Sequence, residues 1–85
     1  MLNFTQYFLE TRKRPDRKII RNEWILRAIK NSIKEEIQID GRIRRWTHIS
    51  EMNNRALRVI LLEVGSTVHN AFFDRRYKGV LENEY

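Results

Sequence analysis

The sequence predicts an α+β domain in which two N-terminal helices pack on a four-stranded antiparallel meander. Three observations lead there. Apolar residues recur at helical spacing as far as Ser32, alternation with a period of two begins at Lys34, and Asp40-Gly41, "EMNN" and "VGST" cut the second half into segments of strand length. The 85 residues make one domain, 1–85, with a single small core, because a chain of this size buries only about 60–65% of the surface it exposes when unfolded.

The first helix is expected in "NFTQYFLET". Phe4, Tyr7, Phe8 and Thr11 fall on one face, with Asn3 and Gln6 as a capping pair. It should fray before Pro15, whose ring disfavours helical geometry in the residue ahead of it. From Arg12 to Arg21, "RKRPDRKIIR" carries six cations against Asp16 alone. The second helix, "NEWILRAIKNS", offers Asn22 as N-cap, an apolar stripe of Trp24, Ile25, Ala28 and Ile29, and Arg27 and Lys30 near the C-terminus, where cations suit the helix dipole.

In the second half, "KEEIQID" alternates through Glu35, Ile37 and Ile39, and Asp40-Gly41 signals a two-residue hairpin turn. "RIRRWTHIS" continues the alternation, "RALRVILLE" is apolar enough for a central strand, and "VHNAFFDRR" closes the meander, leaving about 79–85 as a frayed tail. A sheet with helices on one face buries Trp24, Ile25, Ile29, Val59, Leu61 and one row of the last strand. Successive strand residues point to opposite sides, so Arg42, Arg44, Trp46 and His48 share a face away from Ile43 and Ile49, and Arg58 joins them there. In the last strand, Val68, Asn70, Phe72, Asp74 and Arg76 alternate with Thr67, His69, Ala71, Phe73, Arg75 and Tyr77. Each row holds one phenylalanine, so parity alone leaves the inward row open.

Seventeen Lys+Arg against eleven Asp+Glu give a net charge of +6, and arginine dominates. A guanidinium grips phosphate oxygens bidentately and stacks on flat rings, so an arginine-rich open face with Trp46 in it suits a phosphodiester backbone and an unpaired base. The absence of cysteine excludes disulfides and thiolate chemistry. Two histidines and no carboxylates at ligand spacing give no recognisable metal site, and three glycines without a glycine-rich loop give no nucleotide cradle. Neither a leader nor a spanning segment is legible, so a soluble cytoplasmic protein that touches no membrane and needs no cofactor is expected.

The order of elements, with "IIRNEWILRAIKNS", "GRIRRW", "LRVILLE" and "VHNAFFDRR" in sequence, resembles the RelE/ParE superfamily of small bacterial toxins, especially its BrnT-like and neighbouring branches. The likeness covers about residues 15–78, and the N-terminal strand of many RelE-type folds is not legible here. The resemblance implies an mRNA interferase acting on free or ribosome-bound RNA, masked by an antitoxin partner. RNA carries its own nucleophile, the 2′-hydroxyl, so cleavage needs a base, an acid and cations at the phosphorus centre, without a metal. His69, Asp74, Arg75 and Arg76 are the catalytic candidates, with His48 as the other imidazole able to serve as acid or base. Arg42, Arg44, Trp46, His48, Arg58 and Tyr77 are the RNA-binding candidates. The rival expectation is a basic module that binds nucleic acid or a protein through the same face without chemistry.

Overall fold

The computed structural model describes residues 2–62 and 66–77, and they form a five-stranded sheet with three α-helices, in the order β1 (Asn3–Phe4), α1 (Gln6–Thr11), α2 (Pro15–Lys18), α3 (Asn22–Lys30), β2 (Lys34–Ile37), β3 (Ile43–Ile49), β4 (Arg55–Leu61) and β5 (Thr67–Phe73). A short 3₁₀ turn, Ser50–Met52, joins β3 to β4. The sheet order is β1-β5-β4-β3-β2, with β1 parallel to β5 and every other pair antiparallel. This corrects the expected two helices on a four-stranded meander. The meander is present as β2 to β5, but a fifth strand and a third helix precede it.

Both additions come from the N-terminal third. Asn3 and Phe4 lie beside Thr67 and Val68 instead of starting a helix. The α1 N-cap is therefore Thr5, whose Oγ1 accepts from the Phe8 N–H at 3.1 Å, and Gln6 bonds Glu10 one turn on rather than Asn3. Of the expected stripe, Phe8 and Thr11 are buried, while Tyr7 is exposed. After α1 ends, Pro15 does not merely stop a helix. It occupies the first position of α2, where its missing N–H costs nothing and its fixed φ suits a helix start.

α3 buries Trp24, Ile25 and Ala28 against β3 and β4. Its C-terminal end is tied to the sheet by Arg45, which donates to the Ile29 carbonyl at 2.8 Å and to Glu35 at 2.7 Å. Arg27 pairs with Glu51 beyond β3 at 3.2 Å and drives that exposed carboxyl down to about 2, aided by the Glu51 N–H and the Ser50 hydroxyl. The core gathers Phe8, Ile20 and the α3 stripe over Ile49, Leu57, Val59, Leu61, Val68 and Ala71. β2 lies beyond the helices, so Ile37 is 70% exposed, and its Lys and Glu residues keep this edge polar.

Two irregularities set which side chains meet. In the β2–β3 hairpin Ile37 faces Ile43, Gln38 N–H bonds the Arg42 carbonyl, and Gly41 N–H closes a turn on the Gln38 carbonyl with φ 89°. The loop is thus three residues, Ile39-Asp40-Gly41, with glycine in the left-handed position, and not the expected two-residue turn. In β5 a bulge opposite Ile60 and Leu61 puts Val68, Ala71 and Phe73 on the helix side, while Asn70 and Phe72 match the outward residues Ile60 and Arg58. Neither of the two alternating rows survives whole. The turn expected around Gly65 and the tail expected at 79–85 lie outside the described residues. Among the described residues no helix is long and apolar enough to cross a membrane.

Candidate functional site

The face of the sheet turned away from the helices carries a line of side chains at paired register. Lys34 of β2 faces Trp46 of β3, Trp46 faces Arg58 of β4, and Arg58 faces Phe72 of β5. Cations alternate with rings along it. The Lys34 ammonium and the Arg58 guanidinium each lie 5.4 Å from the Trp46 centroid, Arg58 is also 5.0 Å from the Phe72 centroid, and Arg17 of α2 is 5.2 Å from the same centroid.

The chain after β5 folds back onto this line. Asp74 Oδ1 accepts from the Arg76 N–H at 2.9 Å, turning the backbone, and Tyr77 comes to rest stacked on Trp46 with ring centroids 5.8 Å apart. His48 meets the Tyr77 ring edge-on at 5.9 Å, and the Lys34 ammonium is 5.9 Å from the same ring. Trp46 is consequently only 3% exposed. That corrects its expected place as an open stacking ring: Tyr77 already stacks there. The Tyr77 hydroxyl is itself buried without a hydrogen-bond partner among the described residues.

Beneath this cap, Asp74 Oδ2 accepts from Arg58 Nη2 at 2.7 Å, Arg58 Nε at 3.1 Å and Trp46 Nε1 at 3.0 Å. Burial pushes the Asp74 carboxyl up, but these donors and the Arg76 N–H outweigh it, and the carboxyl ends below its ordinary range. Through these bonds Asp74 holds the β5 end, Trp46 and Arg58 together.

The expected site residues therefore divide into three groups. Trp46, His48, Arg58, Asp74 and Tyr77 converge at one end of the open face. Arg75 and Arg76 lie exposed in the turn beside them and make no ion pair among the described residues. The rest are elsewhere. Arg42 pairs with Asp40 at 3.7 Å and Arg44 with Glu36 at 3.6 Å, both towards the β2–β3 hairpin. His69 is in the β5 bulge, five residues and roughly 16 Å of strand from Asp74. Its Nδ1 is 3.1 Å from Thr5 Oγ1 and its ring stacks on Tyr7 at 4.8 Å, so it joins α1 to the sheet. Burial, with the positive charge of Arg42 second, lowers its pKa. His69 and Asp74, both expected as catalytic residues, are therefore not brought together.

Lys34 and Arg17 are the members that sequence reasoning missed. Lys34 was legible only through the hairpin register, and Arg17 only through the position of α2. Among the described residues no three His, Asp or Glu side chains are grouped so as to hold a metal ion. In comparisons with known proteins, no family model, no curated protein and no solved structure matches this chain.

Proposed function

We propose that the protein is a toxin-type RNA-binding protein of the RelE/ParE kind that cleaves RNA without a metal at the Tyr77 end of its open face. The observation that carries this reading is the convergence of His48, Tyr77 and Lys34 around one ring stack, with Arg58 under it and Arg75 and Arg76 beside it. The catalytic assignment shifts accordingly. His48 takes the proton of the 2′-hydroxyl as that oxygen attacks the adjacent phosphorus. Water protonates the departing 5′-oxygen, and the exposed guanidiniums of Arg75 and Arg76, which make no ion pair among the described residues, offset the charge on the phosphorus centre. Strand β1 adds support, because it supplies the N-terminal strand that the sequence alone did not reveal. A protein of this kind works in the cytoplasm and carries with it the expectation of an antitoxin that covers the same face.

The second reading, a non-catalytic RNA-binding module, is favoured by a specific observation: the carboxylate of the cluster is committed to Arg58 and Trp46, and the second histidine is far away. One experiment separates them. Purified protein is incubated with a single-stranded RNA in excess EDTA, and the ends of any fragments are analysed. Cleavage is expected to leave 2′,3′-cyclic phosphates and to fall about 10²–10⁴-fold in His48→Ala with binding retained. Binding without cleavage would select the module, and cleavage indifferent to the loss of His48 would refute the proposed site.

A further inference from the structure

The most basic stretch of the sequence, Arg12 to Arg21, takes no part in the cluster around Tyr77 except through Arg17. That side chain is a rivet. It is 16% exposed, its Nη1 donates to Asn70 Oδ1 at 2.8 Å, and its guanidinium lies on Phe72, so it clamps α2 to the β5 side of the open face. Arg14 and Lys18 bracket it in the chain, Arg14 as the N-cap of that single turn and Lys18 as its last residue, and the Arg14 carbonyl accepts from both the Arg17 N–H at 2.9 Å and the Lys18 N–H at 2.8 Å. Both are exposed, and neither makes an ion pair among the described residues. Their neighbours differ, since Lys13 pairs with Glu10 and Arg21 with Glu23.

We infer that Arg14 and Lys18 form a second phosphate-binding contact, and that single-stranded RNA crosses the sheet from Lys34 over Arg58 and Phe72 to α2 instead of running along β3 towards Arg42. The inference rests on the reading of the open face as an RNA site. Its reasons are electrostatic and geometric. The cations of the line are themselves paired, Lys34 with Glu36 at 3.3 Å, Arg58 with Asp74 at 2.7 Å and Arg17 with Asp16 at 3.5 Å, as are Arg42 and Arg44 towards the hairpin; what sets the α2 end apart is that the line, perpendicular to the strands, runs out there at two cations with no ion pair among the described residues. Cations that are already paired gain little from a phosphate, because they must give up a partner to bind it. Arg17 adds rigidity, so that the two contacts are placed in advance and cost less ordering on binding.

The test measures binding of a fluorescein-labelled single-stranded RNA by anisotropy across a range of KCl concentrations. The full chain is compared with the Arg14→Gln/Lys18→Gln double variant and with Arg21→Gln/Arg27→Gln, which removes the same charge from cations held by Glu23 and Glu51. The α2 variant is expected to bind about tenfold or more weakly at 0.1 M salt, with the slope of log K against log salt shallower by about 1.4, or about 0.7 for each lost contact. The control pair should stay within about threefold. If wild-type protein binds RNA and the α2 variant binds equally well, or the control loses as much, this inference is wrong while the RNA reading stands. If wild-type protein binds no RNA, the RNA reading itself fails.

Discussion

Replacing Asp74 by alanine tests the structural centre of the open face. Asp74 is 7% exposed at its side chain and accepts four hydrogen bonds, from Arg58 Nε and Nη2, Trp46 Nε1 and the Arg76 N–H. Removing one partner of a buried pair leaves an uncompensated charge, with a typical loss of about 3–5 kcal/mol. Two features moderate that here. Arg58 is 21% exposed, so water reaches the orphaned guanidinium, and the guanidinium keeps its contacts with Trp46 and Phe72. A loss of about 3 kcal/mol is therefore expected, which in urea, with a slope of about 1 kcal/mol/M for so small a domain, moves the midpoint by about 3 M. Asp74→Asn keeps an acceptor for the indole N–H but loses the charge, and should fall between the two proteins. The pH dependence follows from the lowered pKa of Asp74. Near its ordinary value of 3.8 the unfolded chain takes up a proton that the folded one resists, so the charge contributes in full above that value and is lost as pH falls through the lower folded value. The gap between wild type and Asp74→Asn should accordingly close in strong acid. A loss below about 1 kcal/mol for the alanine variant, or a gap that ignores pH, would refute the assignment of Asp74 as the tie between β5, Trp46 and Arg58.

Two further predictions concern the N-terminal third. Thr5→Ala removes the α1 cap and the partner of His69, and should cost about 1–2 kcal/mol in urea unfolding, with Thr5→Ser restoring most of it. His69, followed by NMR, should titrate below its ordinary 6.5 because burial and then Arg42 oppose its charged form. Its effect on stability is opposite in sign to that of a histidine held by a carboxylate: stability falls as pH drops through 6.5, where the unfolded chain gains a proton first, and Arg42→Gln should bring the titration part of the way back.

The sequence carried the meander, α3 and most of the inward rows, because each of these is written in a local period that burial enforces. Trp24, Ile25 and Ala28, and Leu57, Val59 and Leu61, are inward as their spacing requires. What it did not carry were the elements set by long-range pairing. Strand β1 is two residues long and exists through Thr67 and Val68, more than sixty positions away, so Asn3 and Phe4 alone look like the start of a helix. The β5 bulge was similarly invisible, because two phenylalanines, one in each row, balanced the parity. The bulge settled it by changing the row between Val68 and Ala71, and so moved His69 out of the site.

The hairpin is the sharpest case, because one residue of loop length decided which charge stands beside Trp46. Asp40-Gly41 as a two-residue turn would pair Ile39 with Arg42, and hence Glu35 with Trp46, placing a carboxylate in the line across the open face. The three-residue loop instead pairs Glu35 with Arg45 on the helix side and sets Lys34 against Trp46. Gly41 at φ 89° satisfies either loop, so the turn residues did not discriminate. Arg45 did not discriminate either, because the two-residue turn would set Glu36 against it in place of Glu35, whereas only the three-residue loop puts Ile37 against Ile43. The same slip that hid Lys34 from sequence reasoning sets that lysine, paired with Glu36 at 3.3 Å, against Trp46 in place of a carboxylate. The charge that stands beside Trp46 is therefore a consequence of one residue of loop length.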